Sequence, residues 1–188
     1  MKKAMKRALL LALAVAMLVC LSACGKCAWE IKINGKDIQI PCTLDDIGEE
    51  YEYTLDYPFS GNSNGKGIFS VALMQDGSII GTVKVEADSV DNIDRKSKIR
   101  QISAAQSSSD KKGMSIAGVK CGDDKTKVKK VFGEPDSPDA DAWKYKKRGF
   151  LATFFFDDDG KVTMLSISDI APEVWLIREG SNRKTEDS

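Results

Sequence analysis

The stretch FLATFFFDDDGKVTMLSIS, from Phe150 to Ser168, has the clearest strand pattern in the chain. Its two flanks are rich in the apolar and β-branched residues that favour strands, and Asp158-Asp159-Gly160 between them is typical of a tight turn. Two such runs around a short turn predict an antiparallel hairpin. Because a further strand-like run over residues 142–146 precedes the hairpin, the sequence predicts a three-stranded meander.

The same layout occurs earlier in the chain, where Gln75-Asp76-Gly77 separates two strand-like runs. Each turn ends in a glycine that follows a cysteine at a similar distance. Gly77 lies 35 residues after Cys42, and Gly160 lies 39 residues after Cys121. An internal period of this size indicates two related units. We therefore expect a first unit over residues 29–90, a connecting segment with a weak strand over 91–112, and a second unit over 113–177.

Each of these cysteines stands just ahead of a predicted helix start. In the first unit Thr43 is the predicted N-cap, and Asp46 three residues later completes a capping-box variant. In the second unit Asp123 is the predicted N-cap, and Gly133 ends the helix. Asn34-Gly35 predicts a further hairpin near the start of the first unit. The predicted fold class is therefore α+β, with two helix-plus-antiparallel-sheet repeats.

The first residues of the chain have the pattern of a signal peptide. Four basic residues precede an uninterrupted apolar run over residues 8–21, which is short for a membrane-spanning helix of about 20 residues. Leu21-Ser22-Ala23-Cys24 then resembles the lipobox read by lipoprotein signal peptidase. This predicts a signal peptide over 1–23, lipid attachment at Cys24, a tether over 24–28 and a disordered tail over 178–188. The predicted location is the extracytoplasmic face of the cell membrane; a permanent transmembrane anchor is the alternative.

Charge and composition exclude several classes of function. The chain has 28 basic and 28 acidic residues, and four of the basic ones lie in the predicted signal peptide, so the mature protein carries a net charge of −4. An acidic surface argues against binding to nucleic acid. The absence of histidine from the sequence excludes Ser-His-Asp and Cys-His catalysis and most catalytic zinc sites. We therefore predict no enzymatic activity, no metal and no cofactor.

The remaining cysteines allow more than one interpretation. Export makes a disulfide permissible, and a bridge between Cys42 and Cys121 would join the two units. Alternatively both are small buried residues, with Cys27 as a further unpaired thiol. A reactive thiol is a third interpretation, because a helix N-terminus lowers the pKa of a thiol.

Aromatic residues of the second unit suggest a binding surface. Phe154, Phe155 and Phe156 cannot all point to one side of a strand, because side chains alternate between the two faces. Trp143, Tyr145 and Phe155 are the residues we expect at a surface for a partner, with packing in the core as the alternative.

The densest group of carboxylates in the sequence suggests an alternative function. It consists of Asp45, Asp46, Glu49 and Glu50. Two carboxylates that converge in a cleft can hydrolyse a glycosidic bond, so the alternative is a carboxylate-based enzyme acting on cell-wall or surface polymers. A capped and solvated helix explains these residues better. A purely structural spacer of the cell envelope is a third class.

The second unit also resembles known families. The pattern consists of Gly118, Cys121-Gly122-Asp123, Val128, residues 131–136 and Trp143-Lys144-Tyr145. It resembles the SmpA/OmlA-type small lipoproteins of outer-membrane assembly and the tandem repeats of β-lactamase-inhibitor proteins; the first unit matches only loosely. The resemblance implies a helix-plus-sheet fold that acts by protein contact. The predicted function is therefore a membrane-anchored extracytoplasmic lipoprotein that acts as a protein-binding or scaffolding module, with an envelope protein as partner.

Overall fold

The computed structural model describes residues 27–55, 67–105 and 113–169. The predictions for the signal peptide, for Cys24 and for the C-terminal tail lie outside these residues. The elements, in chain order, are β1 (Ile31–Ile33), β2 (Lys36–Ile38), α1 (Leu44–Ile47), β3 (Tyr51–Thr54), β4 (Gly67–Gln75), β5 (Ser78–Ala87), a 3-10 helix (Val90–Asn92), β6 (Lys98–Ala105), β7 (Met114–Ile116), β8 (Val119–Lys120), α2 (Lys125–Phe132), β9 (Ser137–Pro138), β10 (Ala142–Lys147), β11 (Phe150–Phe156) and β12 (Val162–Asp169).

The strands form two antiparallel sheets. The smaller sheet has the order β2-β1-β7-β8, and the larger one has the order β3-β4-β5-β6-β12-β11-β10-β9. Strands from the two halves of the chain meet in the middle of both sheets, through the pairs β1–β7 and β6–β12. One hydrophobic cluster contains apolar side chains from both sheets, including the fully buried Ile31, Ile116, Ile102 and Leu165. The core therefore lies on one face of the larger sheet.

The predicted α+β class is wrong. Of the described residues, 54% are in strands and 12% are helical, and the two α-helices contain four and eight residues. The two halves are also not separate helix-plus-sheet repeats, because their strands are hydrogen-bonded into common sheets. The physical reason is that the apolar strand faces are buried mainly by the other sheet, a task for which the short helices have too little apolar surface.

The segment between the two predicted units contains a central strand. The sequence predicts only a weak strand in this connection, yet β6 pairs with β5 on one side and β12 on the other. Its Ile99 and Ile102 are 0% and 2% exposed. The sequence of β6, KIRQISAA, mixes polar and apolar residues and therefore gives only a weak indication of a strand. Its central position follows from its pairing with β5 and β12 in the sheet.

The local signals of the sequence are largely confirmed. Asn34 and Gly35 both have positive φ angles, as a type I′ hairpin turn requires, and they join β1 to β2. Thr43 caps α1 and forms the predicted capping box with Asp46. The N-cap of α2 is Asp124 rather than Asp123, because the Asp124 side chain accepts a hydrogen bond from the amide of Lys127.

Candidate binding face

The larger sheet has a second face, opposite the core, that a row of small side chains crosses. Residues paired across neighbouring strands project to the same side, so the register defines the row. From one edge of the sheet to the other it consists of Thr54, Ala72, Thr82, Ser103, Ser166, Thr153, Lys144 and Ser137. With strands spaced about 4.8 Å apart, the row is about 34 Å long. We call this side of the sheet the outer face.

The central hydroxyl-bearing residues of the outer face are largely buried. Ser103, Thr153 and Ser166 are only 6%, 6% and 9% exposed, although the hydrophobic cluster of the described residues lies on the opposite face of the sheet. Nε2 of Gln101 donates a hydrogen bond to Oγ of Ser103 at 3.0 Å. The hydroxyls of Thr153 and Ser166 have no hydrogen-bond partner in the part of the chain that the structure describes. Since a hydroxyl can both donate and accept a hydrogen bond, the side chains of Thr153 and Ser166 can bind uncharged donors or acceptors.

An apolar row runs beside the hydroxyls. The register places Ala105, Met164, Phe155 and Ala142 opposite one another on adjacent strands. Phe155 and Met164 are half-buried, so each keeps part of its side chain accessible. Small hydroxyls next to an accessible aromatic and a flexible thioether suit a protein partner, because such contacts combine apolar burial with hydrogen bonds.

The three predicted surface residues do not form one surface. Phe155 lies on the outer face, whereas Trp143 and Tyr145 point to the core side. Tyr145 is 3% exposed, its ring lies 5.0 Å from that of Phe132, and burial raises the pKa of its hydroxyl to about 12. Trp143 packs against Phe156 with ring centroids 5.1 Å apart. Two of the three residues therefore belong to the core and its margin.

Sequence reasoning missed most of the outer face. Serine and threonine on a strand have no distinctive signal, because the same residues occur on any solvated sheet. Only the alternation around Phe155 indicated a second face. The strand pairing then adds Ser103 and Ser166, which are 63 residues apart in sequence but directly opposite each other in the sheet.

The structure does not bring Cys42 and Cys121 together. Both are free thiols. The backbone of Cys42 pairs with Ile99 at the start of β6, whereas Sγ of Cys121 lies 3.8 Å from the carbonyl oxygen of Ala104 near the end of that strand. Five residues of strand separate these two points by about 16 Å. Burial, with a smaller effect from the nearby Asp46, raises the pKa of the Cys42 thiol to about 12, which opposes a reactive thiolate.

The carboxylates of α1 have structural partners. Asp45 accepts a hydrogen bond from Nε of Arg95 at 2.7 Å, and Asp46 accepts from the backbone amide and hydroxyl of Thr43 at 2.8 Å. These bonds lower the pKa of Asp46. Glu49 and Glu50 are exposed. Two depressions of the described residues, one beside Gly81 and one beside Cys27, have none of these four acids in their lining.

The described residues also contain no group of three or more acidic or cysteine side chains that could hold a metal ion. Within the same ranges, every helix is too short or too polar to cross a membrane. No family model, no curated protein and no solved structure matches this chain, so the outer face has to be interpreted from its own geometry.

Proposed function

We propose that this protein is a membrane-anchored extracytoplasmic lipoprotein that acts as a protein-binding or scaffolding module and binds an envelope protein on its outer face. The membrane address rests on the sequence of residues 1–24. The binding surface rests on one observation, the row of small hydroxyls flanked by Phe155 and Met164 on the side of the sheet away from the core.

The shape of the outer face favours a folded protein as the partner over a small ligand. An eight-stranded sheet presents a surface far wider than a small ligand needs, and its central side chains are short. A partner would contact the accessible parts of Phe155 and Met164 and the exposed Ala105 beside them. The accessible Phe155 provides the kind of aromatic contact that contributes most to protein interfaces.

The contacts of α1 do not favour the alternative of a carboxylate-based enzyme acting on cell-wall or surface polymers. A pair of catalytic carboxylates must face a shared space in which the substrate and water can lie. Asp45 and Asp46 instead bind Arg95 and Thr43, which are groups of the fold itself. A structural spacer would need no accessible aromatic side chain on a sheet face.

Site-specific photocrosslinking of the full-length lipoprotein in its native membrane tests the proposal. The crosslinking amino acid p-benzoylphenylalanine replaces Phe155, which it resembles in size and shape. Thr126, an exposed residue of α2 on the other side of the molecule, is the matched control position. We expect a discrete crosslinked species of higher mass from position 155 and none from position 126.

Two results would contradict the proposal. The first is the absence of any crosslinked protein at position 155 under conditions in which the variant is folded and located in the membrane. The second is an identical set of crosslinked species from positions 155 and 126, because that pattern would indicate random proximity in the membrane.

A further inference from the structure

The lipid anchor would attach at a defined end of the folded domain. Cys27 follows Cys24 by three positions, a distance of at most about 11 Å along the chain. Cys27 is held in place by a hydrogen bond from its amide to the side chain of Gln39. The ring of Trp29 then lies 5.5 Å from that of Phe132, the last residue of α2. The anchored N-terminus therefore meets the domain beside the C-terminal end of α2.

Basic side chains gather at this end. Lys129 and Lys130 occupy the last turn of α2, and Lys130 has no ion pair with any described residue. The end of α2 is next to the second half of β10, because Oη of Tyr145 lies 3.4 Å from the carbonyl oxygen of Gly133. The chain continues from Tyr145 into three exposed basic residues, Lys146, Lys147 and Arg148, at the β10–β11 turn.

Apolar groups accompany these charges. Val131 is 43% exposed and is among the few large apolar side chains that the described residues expose to this extent. Trp29 is half-buried, with part of its indole accessible. Aromatic and aliphatic side chains mixed with lysine and arginine are typical of surfaces that lie at the boundary between water and lipid.

The acidic groups at the same end are fewer, and most have partners. Glu134 pairs with Lys129 at 2.7 Å, and Asp136 accepts a hydrogen bond from the amide of Lys146. Beside Cys27, Lys32 lies between Glu30 and Asp37 at 3.0 and 3.6 Å. Further along the sheet, Arg100 contacts Glu86 and Asp169, and Lys98 pairs across the sheet with Glu86. Around the β10–β11 turn and the last turn of α2, five basic residues (Lys129, Lys130, Lys146, Lys147 and Arg148) thus face two acidic ones (Glu134 and Asp136), which leaves a net charge of +3.

The opposite end of the same elements is acidic. The β11–β12 turn contains three aspartates and lies next to the start of α2, because the amide of Lys125 donates a hydrogen bond to the carbonyl oxygen of Gly160. Seven carboxylates gather there: Asp123, Asp124, Asp139, Asp141, Asp157, Asp158 and Asp159. Three lysines at the same end, Lys125, Lys127 and Lys161, offset part of this charge, and the acidic residues remain in excess. The second half of the protein therefore has a charge axis along α2 and β10, with its basic end beside the anchor.

We propose that the basic end, formed by the last turn of α2 and the β10–β11 turn, rests on the anionic surface of the membrane that holds the lipid anchor. The acidic turn then points away from the membrane, since an anionic surface repels it. This orientation rests on the lipid anchor of the proposed function. In this orientation α2 and β10 stand at a steep angle to the membrane plane. The outer face of the sheet then faces sideways into solvent and does not lie on the lipid.

Acetylation of individual lysines by a membrane-impermeant reagent, read by mass spectrometry, tests the orientation on the full-length lipidated chain. The protein is incorporated into vesicles of phosphatidylcholine alone or of an equal mixture of phosphatidylcholine and phosphatidylglycerol. We expect Lys130, Lys146 and Lys147 to be acetylated about fivefold more slowly on the anionic vesicles, and Lys161 at the acidic end to be unaffected. In about 1 M salt, where the screening length is about 3 Å, the protection should disappear.

Failure of the orientation and failure of the anchor give different results. If the chain floats with both kinds of vesicle but the basic-end lysines react equally in both, the orientation is wrong and the anchor stands. If the chain floats with neither, both proposals fall. Equal protection of Lys161 also overturns the orientation, because it shows uniform masking of the protein.

Charge reversal provides a second test. Lys130→Glu combined with Lys147→Glu should abolish the difference in acetylation of Lys146 between the two kinds of vesicle. Lys161→Glu, a change of the same charge at the acidic end, should leave that difference intact. All three lysines are exposed, so neither variant disturbs the core. Retention of the difference in the double variant would contradict the role of these charges.

Discussion

At the scale of single residues, Arg95 organises the first half of the protein. Its guanidinium binds three groups: Asp45 at 2.7 Å, the carbonyl oxygen of Tyr51 at 2.7 Å and that of Gly48 at 2.9 Å. Its own carbonyl oxygen accepts hydrogen bonds from the amides of Leu44 and Asp45. One side chain therefore connects the loop before β6 to α1 and to the start of β3.

We predict that Arg95→Met lowers the free energy of unfolding by about 2–4 kcal/mol, because two partly buried carbonyl oxygens lose their donor. Denaturant unfolding followed by circular dichroism measures this change. The control is Lys96→Met, at an exposed neighbour whose replacement should change stability by less than about 0.5 kcal/mol. Equal stabilities of the two variants would show that the hydrogen bonds of Arg95 do not stabilise the fold.

At the scale of elements, α1 is a four-residue helix that depends on its cap. The hydroxyl of Thr43 accepts from the amide of Asp46, and the Asp46 carboxylate accepts from the amide of Thr43. Leu44 and Ile47, which the single turn presents to the core, are 1% and 0% exposed. A helix this short has few internal hydrogen bonds, so capping and burial must stabilise it.

We predict that Thr43→Ala lowers the free energy of unfolding by about 1 kcal/mol at neutral pH, whereas Thr43→Ser retains the capping hydroxyl and most of the stability. Hydrogen bonds from Thr43, first that of its amide and then that of its hydroxyl, lower the pKa of Asp46 in the folded protein. The stabilisation by ionised Asp46 is therefore complete above the usual carboxyl pKa of about 3.9 and is lost as the pH falls through the lowered value.

Unfolding of the wild type and of Asp46→Asn at a series of pH values checks this dependence. The stability difference between them should shrink as the pH falls below about 3.9. Asp91→Asn, at an exposed residue of the 3-10 helix, is the control for general effects of charge. A difference that is constant over the whole range would contradict the role of the ionised cap.

At the scale of the whole molecule, the two halves of the chain share one pair of sheets. The pairs β6–β12 and β1–β7 join them, and both halves contribute to a single hydrophobic cluster. A structure of this kind should unfold as one unit, whereas two separate repeats could unfold one after the other.

We predict that Leu73→Ala in the first half and Phe154→Ala in the second each lower the stability of one common transition, by about 2–5 and 3–5 kcal/mol. Both side chains are buried, at 2% and 0% exposed, and they lie on β4 and β11, which are not themselves the strands that join the halves. Fluorescence and calorimetry should give coincident transitions for both variants. A second transition in either variant would indicate that the halves fold independently.

The sequence predicts those features of the candidate site that depend on residues close together in the chain. Alternation along β11 was sufficient to place Phe155 and its neighbours Phe154 and Phe156 on opposite faces. Alternation did not decide the side of Trp143 and Tyr145, which the structure places on the face that Phe132 of α2 covers. Which face of the sheet a helix covers depends on tertiary packing, and the local sequence does not determine it.

The sequence by itself determined the local features, namely the Asn34-Gly35 turn, the capping box of Thr43 and the strands of the last meander. These depend on residues that are close in sequence and on the conformations each residue can adopt. Only the tertiary structure decided that the halves merge into common sheets, that β6 is central and that Ser103 and Ser166 form one row. The physical reason is that the pairing of distant strands follows from burial and hydrogen bonding of the whole chain, which no local pattern encodes.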